Sequence, residues 1–285
     1  MRRYGLNGAT TGDADLRTDI RAAREAGYQV LEIRDTKLRD YLAAGGTLAG
    51  LRQELKDAGL EPYTLNALEH ATHPTGPALH ELLDRVKTFC EWAAALRCPY
   101  IVAVPSFAHE VADPDPRRVE AVAAEALHAI AEVAHPHRVR VGLEFLGFPD
   151  CTVNTLVAAR RIVDAVGDPS VGIVIDAFHF YAGGSTLEML DGLDPARLFI
   201  VHLDDAEDRP RAELTDAHRL LPGRGVMPLL PLVRRLEALG YRGAYSIELF
   251  RPEYYAWDPL HLAREARMSL DLLFKEADRA EERVP

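Results

Sequence analysis

The stretch Val171-Gly-Ile-Val-Ile-Asp-Ala-Phe-His-Phe-Tyr-Ala-Gly-Gly184 decides how the chain is read. Five apolar or small residues, 171–175, have the pattern of a strand buried on both faces, as in a parallel sheet covered by helices. The run stops at Asp176, with His179 three residues on and a glycine pair closing the stretch. A polar group is being presented at the carboxyl end of a strand. The same grammar occurs in Val139-Arg-Val-Gly-Leu-Glu144, in Leu198-Phe-Ile-Val-His202 followed by Asp204-Asp205, and in Ala244-Tyr-Ser-Ile-Glu248. Glu144, Asp176, His202 and Glu248 thus end four successive strands.

Working outward, shorter strand-like runs lie at 4–7, 30–33, 62–65 and 100–104, which brings the strands to eight. Helical spacing of apolar residues covers 15–26, 47–58, 77–96, 116–134, 152–166, 186–190, 229–239 and 261–276. Gly27, Gly59 and Gly240 stand just past helix ends, and Asp150 or Thr152 and Asp258-Pro259 mark starts. Eight strands alternating with eight helices predict an α/β fold, a closed parallel (β/α)8 TIM barrel. A barrel of this kind fits 285 residues in one domain. The expectation is a single TIM-barrel domain over 1–285, with 277–285, charged and without apolar spacing, as a frayed end. The longest irregular connection, 204–228, follows His202 and therefore belongs to the active face.

Composition excludes several classes. With 33 basic and 44 acidic residues the net charge is −11, which repels a nucleic-acid backbone over most of the surface. The three cysteines, Cys90, Cys98 and Cys151, are too scattered for a disulfide framework or a thiolate metal site, and they suit a reducing compartment. No apolar run approaches the roughly 18 to 20 residues needed to cross a bilayer. The amino-terminal residues run straight into a strand without a secretory leader pattern. A cytoplasmic protein is expected, with a small-molecule partner and neither nucleic acid nor membrane. Oligomeric state is not legible.

In such a barrel, polar residues at the strands' carboxyl ends converge on one mouth. Three carboxylates brought together would repel unless one held a proton or a cation lay among them. With the imidazole they make a donor set suited to Mn²⁺, Co²⁺, Mg²⁺ or Zn²⁺. One divalent ion is expected, Mn²⁺ first. An ion so held can bind the two oxygens of a hydroxy-ketone, acidify the intervening C–H and stabilise the enediolate. Glu144 and Glu248, from opposite sides of the rim, are candidates for removing and returning the proton, and His179 for bonding a substrate oxygen.

Beyond these four residues, Leu6-Asn-Gly-Ala-Thr-Thr11, Leu31-Glu-Ile-Arg34, Leu65-Asn-Ala-Leu68, Val102-Ala-Val-Pro105, Cys151-Thr-Val-Asn-Thr155 and Glu248-Leu-Phe-Arg-Pro-Glu-Tyr-Tyr255 carry a resemblance over nearly the whole chain. The sequence resembles the sugar isomerase/epimerase branch of the xylose isomerase-like TIM barrels, and within it the inosose (2-keto-myo-inositol) isomerases. It departs from them at Glu69–His73 and at Arg224. The resemblance implies that Glu144, Asp176, His202 and Glu248 hold one divalent metal, that both glutamates transfer protons and that His179 assists. It also implies a non-phosphorylated keto-sugar or keto-inositol substrate. Related epimerases place an arginine in the loop after the seventh strand, which makes Arg209 and Arg224 candidate substrate contacts. Asn66, at the end of the third strand, is a further one, and Tyr255 and Trp257 are candidates for an apolar wall.

Three rival expectations share the barrel. An apurinic-site endonuclease would add ligands roughly where His70 or His73, His109, Asp216 and His218 stand; the net charge and the lack of clustered Lys and Arg weigh against it. An inosose dehydratase or an oxidised-glycoside lyase would begin with the same proton abstraction. A non-catalytic barrel would exchange no substrate hydrogen.

Overall fold

The computed structural model describes residues 2–74, 76–111 and 115–281. Seven parallel strands follow in chain order: β1 (Arg3–Asn7), β2 (Val30–Arg34), β3 (Glu61–Leu68), β4 (Tyr100–Ala103), β5 (Arg140–Glu144), β6 (Val171–Asp176) and β7 (Leu198–His202). Two strands of two residues, β8 (Asp205–Ala206) and β9 (Arg219–Leu220), pair as an antiparallel ribbon above the barrel. The last strand, β10 (Ala244–Ile247), lies between β7 and β1 and closes the cylinder.

Around it run α1 (Leu16–Glu25), α2 (Asp35–Ala43), α3 (Leu48–Ala58), α4 (Pro77–Leu96), α5 (Pro116–Ala134), α6 (Leu156–Val166), α7 (Ala177–Ala182), α8 (Leu229–Ala238), α9 (Pro252–Tyr255) and α10 (Pro259–Glu281). Side-chain caps fix several starts. Asp15 accepts from the amide of Thr18, Thr47 from that of Gly50 and Thr155 from that of Ala158. Gly59, at φ 72°, ends α3 in the left-handed conformation that glycine adopts without penalty.

Three local expectations differ from the fold. Helix α6 starts after Thr155 rather than at Thr152, because Leu146 to Asn154 is tied up in loop hydrogen bonds. The stretch 186–190 makes a single 3-10 turn. Helix α2 was not anticipated; it starts directly after Arg34, where β2 ends, buries Leu38 and Tyr41 and stops before Gly45-Gly46. At the carboxyl end, α10 continues to Glu281 with Ala277 buried, and residues 282–285 lie outside the described residues.

Two apolar layers result. The larger lies between strands and helices; the smaller fills the barrel with Val30, Tyr63, Ala67, Val102, Val174, Ile200 and Ala244. Between β6 and β7 the register shifts: Ile173 pairs with Leu198 but Val174 with Ile200. The intervening Phe199 stacks on Tyr100 at 4.8 Å, and its ring takes the space that a Cβ on Gly172 would need. Above the shift, Asp176 pairs with His202, which itself neighbours Ser246 of β10. An apolar barrel floor therefore supports a polar rim.

Candidate metal centre

The rim brings one ligand atom each from Glu144, Asp176, His202 and Glu248 to within 4.8 Å of one another, and all four residues are buried. Among the described residues no other group of three or more His, Cys, Asp or Glu is gathered in this way. His202 organises the set. Its Nδ1 lies 2.9 Å from Oε1 of Glu144, 3.0 Å from Oε2 of Glu248 and 3.7 Å from Oδ2 of Asp176. Its Nε2 donates to Glu32, 3.2 Å away.

Glu32 is fully buried and accepts a second bond from the Thr64 hydroxyl at 2.7 Å. Asn7 donates from Nδ2 to Oε1 of Glu248 at 2.8 Å. Such partners fix the ring and carboxylate orientations that a cation needs.

On the β6–β7 side stands a buried arginine. Arg219 donates from Nη1 to Asp176 at 2.6 Å and to Asp204 at 2.7 Å, from Nη2 to Nε2 of His179 at 3.0 Å and from Nε to Asp216 at 2.9 Å. Asp204 also accepts from the amide of Phe178, and Asp176 from that of His179 at 2.8 Å. Because Nε2 of His179 accepts from Arg219, its proton resides on Nδ1, which has no hydrogen-bond partner among the described residues.

The electrostatics without a cation follow from burial and these charges. Burial raises the Glu144 carboxyl to about 7, with the charge of Glu248 adding to it and His202 opposing. Burial also works upward on Asp176, but Arg219, His179 and His202 outweigh it and hold that carboxyl at about 2. Burial opposes a charged His202, yet Glu248, Glu32 and Glu144 raise its pKa well above the ordinary imidazole value. His179 is lowered by burial, with Arg219 reinforcing the shift. In the metal-free state, protons thus take the place of positive charge. Three carboxylates and one imidazole, all buried and converging, fit a divalent cation.

The remaining candidates fall elsewhere. Arg209 pairs with Glu207 and Arg224 with Glu265, and both arginines are exposed. The buried arginine supplied by this long connection is Arg219, which reading the sequence did not single out. Asn66 is buried, with its Oδ1 accepting from Arg34 at 3.0 Å. Tyr255 packs its ring against Gly12, while Trp257 lies on Tyr254 and His261. His73 bonds Thr72 and the carbonyl of Val119, His70 pairs with Glu110, His109 stacks on Phe107 and His218 accepts from the amide of Thr215.

Residues 20–274 match the family model described as the xylose isomerase-like TIM barrel. The chain belongs to the xylose isomerase-like TIM barrel family. Within that family it is 39% identical over 251 residues to inosose isomerase of Halalkalibacterium halodurans, covering 87% of this chain and 88% of that protein. It is 36% identical over 252 residues to inosose isomerase of Bacillus subtilis, covering 88% and 90%. A crystal structure of IolI protein with a binding zinc atom superposes with a TM-score of 0.92 at 32% identity, covering 96% of this chain and 99% of that one. No helix among the described residues is long and apolar enough to cross a membrane.

Proposed function

We propose that this xylose isomerase-like barrel is a divalent-metal-dependent isomerase of a keto-inositol such as inosose. The convergence of Glu144, Asp176, His202 and Glu248 carries the reading. Glu144, Asp176, His202 and Glu248 would hold the cation, which would supply the positive charge that acidifies the C–H beside a ketone. Three carboxylate oxygens and one imidazole nitrogen suit Mn²⁺.

The chain's own residues supply the proton traffic. Glu144 and Glu248 both reach Nδ1 of His202, from β5 and from the end of β10 on either side of β7, so one can take the proton from carbon and the other return it to the neighbouring carbon of the enediolate. Asn7 steadies Glu248 for that task. His179 presents Nδ1–H to a substrate oxygen as negative charge grows, and Arg219 keeps the opposite ring nitrogen occupied. Burial of the whole set excludes water that would quench the carbanion. We read residues 1–285 as one barrel domain acting on a small molecule.

The test is incubation of the Mn²⁺-loaded protein with scyllo-inosose and a panel of ketohexoses in deuterated water. Deuterium at the carbon beside the ketone, with isomerised inosose as the product, is expected. Loss of water from inosose instead would make the protein a dehydratase, and no exchange with any ketone would refute enediolate chemistry.

A further inference from the structure

Two residues at the mouth are placed for a task that the proton transfer leaves unassigned. Along β2, Glu32 points to His202 in the barrel interior, so Arg34, two residues on, shares that face about 7 Å higher. Along β3, Thr64 reaches Glu32, and Asn66 stands in the same relation above it. The two upper residues meet, Nη1 of Arg34 donating to Oδ1 of Asn66 at 3.0 Å. The guanidinium groups of Arg34 and Arg219 both lie over the ring of Phe250, at 5.8 and 5.1 Å from its centre. Arg34, with Asn66 bonded to it, therefore shares the ring of Phe250 with the arginine that binds Asp176.

The polar capacity of this wall is largely unused. Nδ2 of Asn66 is buried without a partner, which is costly unless something accepts from it. The nearest carboxylate to Nη2 of Arg34 is the exposed Glu69, at 3.9 Å. Since Arg34 already takes one lone pair of the Asn66 carboxamide oxygen, the groups this wall leaves unpaired are chiefly donors.

We infer that Arg34 and Asn66 are specificity-determining residues, which donate to the hydroxyls of a polyhydroxylated ring on the side remote from the reacting carbon. This rests on the keto-inositol reading above. With the ketone and its neighbouring hydroxyl at the level of Glu144 and Glu248, the layer of Arg34 and Asn66 is one ring's height above. Full hydroxylation of the ring is what the pair selects.

Arg34→Met and Asn66→Leu keep side-chain bulk and remove the donors. Two ketones are compared in deuterated water with the metal-loaded enzyme: scyllo-inosose, and 2-hydroxycyclohexanone, which keeps the reacting group without the remaining hydroxyls. Each variant should lose about 10- to 100-fold in kcat/KM on inosose, chiefly through KM, with exchange on 2-hydroxycyclohexanone held within about twofold. Calorimetric binding of myo-inositol, which has no ketone to react, should weaken in parallel. Equal losses on both ketones would make the pair merely structural, and unchanged inosose kinetics or inositol binding would overturn its role. No exchange on either ketone by the unsubstituted enzyme would overturn the isomerase reading, and this inference with it.

Discussion

Glu32 accepts from Nε2 of His202 at 3.2 Å, on the edge of the ring turned away from the three converging carboxylates. The bond leaves Nδ1 facing them, so the lone pair a cation needs is aimed by a residue that is not itself a ligand. Glu32→Leu keeps the volume and removes the acceptor. Metal affinity, measured by competition with a chelator, should weaken about 10- to 100-fold. Unchanged affinity would show that the barrel wall alone orients the ring.

Metal binding should release protons. Without a cation, Glu144 titrates near 7 because it is buried beside Glu248, and His202 holds its proton well above the ordinary range. A cation needs both groups deprotonated, so affinity should fall as pH drops, at first because His202 holds its proton and further through about 7 as Glu144 takes one, and recover as pH rises. Calorimetry in buffers of different ionisation enthalpy reads the proton count. Affinity that strengthens toward acid would contradict this sign.

Glu248→Gln should abolish turnover with the barrel intact. The substitution preserves the shape that packs against Asn7 while removing the charge that faces His202. Circular dichroism should match that of the unsubstituted protein, and retained activity would remove Glu248 from proton transfer.

His179→Ala tests the pairing with Arg219. On the role proposed for it, removing His179 should cost about 10² to 10⁴ in rate. Metal content should stay constant, because none of the four converging ligand atoms belongs to it. Loss of metal would instead make His179 a ligand.

Gly147→Ala probes how that histidine is positioned. A Cβ at Gly147 would overlap the carbonyl oxygen of His179 and the amide nitrogen of Gly183, both backbone atoms that cannot swing aside. Forcing α7 outward should cost about 1 to 3 kcal/mol in stability. Activity should fall with it, as His179 and the amide bonded to Asp176 move together.

The barrel and its four converging residues were legible because each rests on a local pattern: an apolar run that ends in a charge, repeated on successive strands. Arg219 was not. It stands fifteen residues beyond Asp204, in a connection whose two-residue strands are too short to show any period, and only the β8–β9 ribbon folds it back onto Asp176. Arg209 and Arg224 had the same residue type in the same loop, and nothing in the sequence distinguishes the one that turns inward. Nothing local marks Glu32, because the bond it makes to His202 crosses the barrel interior between residues 170 apart along the chain. Helix α2 escaped notice because it follows β2 without a connecting turn, so no break in the pattern announces its start.

The most direct measurement is titration of the metal-free protein with Mn²⁺ while deuterium entry into inosose is followed. Exchange should be absent at the outset, rise in proportion to added metal and level off at one ion per chain. Exchange that proceeds without metal, or that needs several ions per chain, would contradict a single cation held by Glu144, Asp176, His202 and Glu248.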